Sequence, residues 1–196
     1  MATQAKSEQA MDHFVDLQLL PDPEFPASQL MNALFAKLHR GLVAAQCDDI
    51  GMGFPGVHAK GLGTVLRMHG SLSRLAGLMA SPWLQGMRDH VQTSAVLPVP
   101  ATGVRYRVVS RVQAKSSPDR ERRRLMRRQG LDAAQALARI PDTAAEVLDL
   151  PYLQVSSQST AQKFRLFIRH GSLQDAPTKG TFTPYALSPT ATIPWF

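Results

Sequence analysis

The residues with the clearest capacity for chemistry are the arginines of the stretch Ser117–Gly130, SPDRERRRLMRRQG. At about 100° per residue, Arg120, Arg123, Arg124, Arg127 and Arg128 fall within an arc of roughly 140°. Arg122 and Met126 point away from that arc, and Leu125 lies at its margin. A surface helix tuned for solubility mixes charge signs, whereas a face of like charges repels itself until a polyanion neutralises it. Guanidinium also offers a planar fork suited to two-point contact with phosphate or with a guanine edge. The chemistry implied is docking to RNA or DNA, against the plainer reading of a solvated charged face.

Other reactive side chains give weaker signals. His39 lies near the end of an amphipathic segment, beside its apolar stripe; a histidine exchanges protons near neutral pH, but a histidine at the solvent edge is the commoner case. Ser157 and Ser159, in SSQST, read by themselves as loop hydroxyls, and Tyr185 as a packed residue whose hydroxyl finds a partner. The histidines at 13, 39, 58, 69, 90 and 170 form no His-x-x-x-His pair and no carboxylate cluster, so no metal site is expected. A single cysteine, Cys47, excludes an internal disulfide framework and a thiol-rich zinc site. The stretch Gly51–Gly56, GMGFPG, has the letters of a dinucleotide fingerprint without its context. No helix opens after it, Pro55 interrupts it, and it reads as a glycine-rich strand exit.

The elements that must hold these residues follow from periodicity. FVDLQLL (14–20) reads as a strand stopped by Pro21 and Pro23. Leu30, Met31, Leu34, Phe35, Leu38, Leu42 and Val43 recur at helical spacing over 27–45. Short strands are expected at 50–54 and 64–69. A helix is expected from Leu72 to Met87, broken near Pro82, with Leu72, Leu75, Leu78, Met79, Trp83 and Leu84 inward. With 91–99 extended, the order over 11–99 is β-α-β-β-α-β, the ferredoxin-like arrangement, which hosts many functions. The aromatic pair with which many such sheets stack RNA is missing from 64–69.

Pro98, Pro100 and Gly103 mark a junction. Beyond it the sequence predicts a strand (105–113), the arginine helix (118–129), a second helix (132–140) and strands at 152–157 and 164–169, then a tail rich in Thr, Pro and Gly. The expected fold class is α+β: a tail or extension over 1–10, a ferredoxin-like domain over 11–99, and an RNA-binding domain over 100–196. At 196 residues the chain can bury a real core, and a net charge of +7 favours nucleic acid or an anionic membrane surface as partner. No apolar run approaches the ~20 residues that span a bilayer, and the polar start lacks a signal-peptide core, so a cytoplasmic protein is expected.

Several segments together carry a resemblance: PDPEFP (21–26), SRVQAKS (110–116), RRRLMRR (122–128), RIPDT (139–143), SQST (157–160), FRLFIRHG (164–171) and the closing PWF (194–196). In register from about Met11 to Phe196, the chain closely resembles the CRISPR RNA-processing endoribonucleases of subtype I-F, the Csy family. That resemblance implies a ferredoxin-like domain joined to one whose arginine-rich helix enters the major groove of a repeat hairpin, with metal-independent, cofactor-free cleavage at the 3′ base of the stem. It implies His39 and Ser157 as catalytic residues and Tyr185 as the residue positioning the histidine. Arg111 and Gln113 would read bases at the foot of the stem, and Phe164 would stack on the terminal base pair. Arg124, Arg127 and Arg128 would supply helix contacts, with Arg123 adding one to phosphate. Gln129 departs from the family, standing where a member carries histidine; a neutral amide still donates to phosphate. The partners implied are the repeat hairpin and the subunits of a type I-F surveillance complex, without a membrane. The alternative is a non-catalytic hairpin-binding subunit of a ribonucleoprotein.

Overall fold

The computed structural model describes residues 11–59, 61–113, 118–141, 148–156 and 163–196. The chain forms two compact units, one of Met1–Arg111 with Leu150–Phe196 and one of Val112–Asp149.

In the first unit, β1 (His13–Leu19), α1 (Ala27–Ala44), β2 (Gly51–Gly53), β3 (Val65–Gly70), α2 (Leu72–Ala80) and β4 (Val91–Thr93) follow in the expected order. They build a sheet of order β2-β3-β1-β4, antiparallel throughout, with β5 (Leu97–Pro98) paired to the start of β1. This is the ferredoxin-like arrangement. Alternation in β1 sends Val15, Leu17 and Leu19 into one core with Leu30, Leu34 and Leu38 of α1 and Leu75 and Leu78 of α2. α1 begins after Pro26 without a side-chain cap. Its stability comes instead from burying Leu30, Met31, Leu34, Phe35, Leu38 and Leu42, each worth about 1.5–3 kcal/mol.

α2 stops where Ser81, preceding Pro82, turns extended, and a 3-10 turn at Pro82–Leu84 then carries Trp83 into the core. Leu72 does not point inward as its spacing suggests; it is 51% exposed. A helical side chain covers the turn N-terminal to itself, and Leu72, the first residue after the Ser71 cap, has no such turn beneath it.

A second sheet completes this unit, with β6 (Arg105–Val112), β7 (Tyr152–Ser156), β8 (Lys163–His170) and β9 (Thr192–Trp195) in the order β7-β8-β6-β9. The last strand has no signal in the residue pattern. Pro194 disguises it, yet proline is tolerated at a sheet edge, and β9 is an edge strand that pairs Tyr106 with Pro194 and Arg107 with Ile193. β9 also explains the glycines of β2. A Cβ on Gly51 would lie 2.6 Å from Ile193 Cγ2 and 2.6 Å from the Phe182 ring, and one on Gly53 would lie 2.7 Å from Ile193 Cδ1. These glycines permit close packing and bind no nucleotide phosphate in this setting.

The second unit contains α3 (Pro118–Gln129) and α4 (Ala133–Arg139). Gly130, at φ +65°, ends α3 in the left-handed conformation that glycine adopts without strain. Asp132 and Gln135 then form a reciprocal capping box that starts α4. Ser117 is a residue type that favours an N-cap, and it lies outside the described residues.

Candidate active site and nucleic-acid interface

His39 sits one turn beyond Phe35 on α1, so both rings share a helix flank. Tyr185 lies against that flank. Its ring stacks on His39 at 4.3 Å between centroids and 14° between planes, and lies nearly parallel to Phe35 at 6.1 Å. His39 Nδ1 is 2.8 Å from the carbonyl oxygen of Pro184. A carbonyl only accepts, so Nδ1 carries the hydrogen and Nε2 keeps the lone pair in the neutral ring. The imidazole is thus fixed in both plane and tautomer, with one nitrogen left to accept a proton.

The Tyr185 turn is itself tightly held. Thr183 N–H donates to Leu187 O, Ala186 N–H to Thr183 O, and Met52 N–H to Ala186 O, at 2.8, 2.8 and 2.9 Å. Ala186 adopts φ +55°, an uncommon conformation for a residue with a Cβ, and it does so fully buried beside Tyr185. Phe35 is legible in the sequence only as part of the apolar stripe of α1, and neither Pro184 nor Ala186 carries a residue type that marks a site. The Pro184 contact uses a main-chain atom, which no residue type reveals.

Arg111, near the end of β6, continues the cluster. Its guanidinium carbon lies 5.9 Å from the Tyr185 ring centre and 5.6 Å from that of Phe164 on β8. Both distances fall inside the range of cation–π attraction, worth about 0.5–1 kcal/mol at exposed positions. Four expected site residues from separate stretches, His39, Tyr185, Arg111 and Phe164, therefore form one chain of contacts within the first unit. Gln113 is exposed and follows β6 directly. Ser157 lies outside the described residues; it follows Ser156, the last residue of β7, a strand tied to α1 where Gln154 N–H donates to Asn32 Oδ1 at 2.9 Å.

The remaining histidines divide by environment. Burial, with the Arg67 charge adding to it, pushes His69 down to about 3, and neither ring nitrogen has a hydrogen-bond partner among the described residues. His170 is lowered to about 4, chiefly by burial and then by Arg107, and its Nε2 accepts from Phe54 N–H at 3.4 Å. His69 is buried and His170 half-buried, and both values lie below the neutral range. Among the described residues, no three metal-ligating side chains converge.

In the second unit, Arg123, Arg124, Arg127 and Arg128 are exposed on α3, while Leu125, Met126 and Arg122 are half-buried. Arg120, Arg123, Arg124 and Arg127 line an open groove of about 560 Å³. Arg122 turns the other way: its Nε donates to Ile140 O at 2.7 Å and its Nη1 pairs with Asp119 at 3.1 Å. Gln129 accepts from Arg139 Nη1 at 2.6 Å. It braces α4 against α3.

A proton-accepting ring set among stacked aromatic and guanidinium groups, on a chain with a separate arginine face, is the equipment with which proteins hold nucleic acid close to a base. Comparison with known proteins points the same way and is more particular. Residues 14–196 match the family model of the CRISPR-associated protein Cas_Csy4, and the chain belongs to that family. It is 54% identical to the CRISPR-associated endonuclease Cas6/Csy4 of Pseudomonas aeruginosa (strain UCBPP-PA14), over 95% of this chain and 100% of the relative. It is 50% identical to the protein of the same name from Escherichia coli (strain UTI89 / UPEC), again over 95% of this chain and 100% of the relative.

Proposed function

We propose that this chain is a metal-independent endoribonuclease that cleaves precursor CRISPR RNA at the 3′ base of its repeat hairpin and then keeps the hairpin. Two relatives named as CRISPR-associated endonucleases support the activity. The observation that carries the site is the contact chain His39–Tyr185–Arg111–Phe164. RNA brings its own nucleophile, the 2′-hydroxyl next to the scissile phosphate. The enzyme must align that oxygen with the leaving 5′-oxygen and take its proton. His39 Nε2 accepts the proton, while Tyr185 and the Pro184 carbonyl keep the ring in place. Ser157 holds the 2′-hydroxyl. The O–P bond formed closes a 2′,3′-cyclic phosphate, and the P–O5′ bond broken releases a 5′-hydroxyl, which water protonates.

Phe164 supplies a platform for the terminal base pair, and Arg111 with Gln113 reads the bases at the stem's foot. The arginine face of α3, with Arg123, Arg124, Arg127 and Arg128, enters the groove near the open end of the stem, where the usual narrowness of the A-form major groove is relieved. Residues 11–99 then serve as the domain carrying the histidine and 100–196 as the RNA-binding domain. In the cytoplasm, the retained hairpin makes the protein a subunit of a type I-F surveillance complex. The test is cleavage of a repeat hairpin in EDTA, with analysis of the product ends. A cyclic phosphate formed at an undiminished rate is expected; a strict magnesium requirement overturns the mechanism, and tight binding without cleavage turns the protein into a hairpin-holding subunit.

A further inference from the structure

α1 carries a second feature on the flank opposite His39. Lys37, Arg40, Gly41, Ala44 and Ala45 of the helix end, with Ser81, Pro82, Trp83 and Gln85 across from them, line a groove of about 620 Å³. Its lining holds two cations and, among the described residues, no acid. Lys37 Nζ donates to Gln85 O at 2.5 Å, so this cation is held at the groove. Arg40 is exposed and makes no hydrogen bond or ion pair among the described residues. At about 100° per residue, Arg40 lies 100° round the helix from His39 and Lys37 roughly 60° further in the same direction. Arg40 is therefore on the crest of α1, between the histidine and the groove. The distance across that crest is one helix diameter, about 10–12 Å.

An RNA cut beside His39 does not end there. The strand 3′ of the scissile phosphate must leave over some surface, and it carries a phosphate at every step. We propose that this downstream strand crosses α1 over Arg40 and runs into the groove beside Lys37. Exposed Pro82, Ala44 and Ala45 give the groove an apolar wall against which a base can rest, with mostly buried Trp83 behind them. The proposal rests on the hairpin-cleaving reading given above. It assigns Arg40 and Lys37 to the released segment, a separate set from the residues that hold the stem.

The experiment compares two repeat hairpins, each with a 2′-deoxy nucleotide before the scissile bond to block attack. One ends at the cleavage position and the other continues for several uridines. Affinity is measured across a salt series for the native protein, Arg40→Ala and Arg40→Glu, with thermal melts to check folding. Within each protein, the quantity read is the gain in affinity that the tail confers. In the native protein the tail should strengthen binding several-fold and steepen the salt dependence, with each single-strand phosphate contact adding about 0.7 to the slope. Arg40→Ala should lose about one such contact, and Arg40→Glu should abolish or invert the gain. A tail that adds nothing to the native protein overturns the proposal. So does a gain that survives both substitutions, an outcome that leaves the groove to a protein partner. Failure of the shorter hairpin to bind at all is a different result, and it strikes the endoribonuclease reading itself.

Discussion

His39 donates to a main-chain carbonyl and lies flat on a tyrosine. These contacts cost it one nitrogen and leave the other as a fixed acceptor, the arrangement a general base needs. His39→Ala should therefore cut cleavage by roughly 10²–10⁴-fold with hairpin affinity nearly intact, since affinity is assigned to the arginines. Single-turnover rates beside equilibrium binding will check this, and a native rate would remove His39 from the mechanism. Ser157→Ala should slow cleavage while the hairpin is still retained. If Ser159→Ala abolishes cleavage instead, the nucleophile-positioning hydroxyl is two residues further along. None of these roles could be read from spacing. His39 and Tyr185 are far apart in sequence, each ordinary in its own stretch, and only the resemblance of whole segments singled them out. The Pro184 carbonyl was beyond any reading of side chains.

At the scale of elements, the arginine helix was legible because the spacing of its arginines is a local feature. The ferredoxin-like order was legible because apolar periodicity switches cleanly between strand and helix. β9 was not, because a Thr-Ile-Pro-Trp strand derives its identity from β6 and from the glycines of β2. The helix itself predicts two distinct outcomes. Arg124→Ala, Arg127→Ala and Arg128→Ala should each weaken hairpin binding and lower the salt slope by somewhat under one unit, as counterion release requires. A salt titration against the cognate hairpin and an unrelated stem will show it, and unchanged slopes would leave α3 as a solvated face. Arg122 points away from the arginine face, as its spacing predicts, and its bonds to Ile140 and Asp119 make it a brace. Arg122→Ala should cost about 1.5–3 kcal/mol in the stability of the second unit, the range for a charged hydrogen bond. Hydrogen exchange across α3 and α4 will resolve that loss from any direct loss of RNA contact.

At the scale of the molecule, two histidines of lowered pKa, His69 in the core and His170 half-buried beside it, contribute to the response to acid. His69 lies between β1 and β2 in the first sheet, beside Phe14 and Phe196, with both ring nitrogens unpartnered among the described residues. His170 lies against Phe54 and Trp195, and protonating its Nε2 would forfeit the bond from Phe54. Their folded values, about 3 and about 4, lie below the 6.5 of a free histidine. Between those limits the unfolded chain binds more protons than the folded one, so stability rises with pH. It is fully present above about pH 6.5 and falls as the pH drops, each histidine contributing up to about 1.4 kcal/mol per pH unit. His170 ceases to contribute near pH 4 and His69 near pH 3. Urea unfolding at pH 7.5, 5.5 and 4.5 should show that decline, and His69→Leu should flatten it. The same substitution should leave stability at pH 7.5 equal or higher, because leucine buries no unpaired nitrogen, a group whose burial costs about 1–3 kcal/mol. An unaltered acid slope in His69→Leu would mean that His69 takes up its proton as readily in the fold as in the unfolded chain, and that the core around it admits charge.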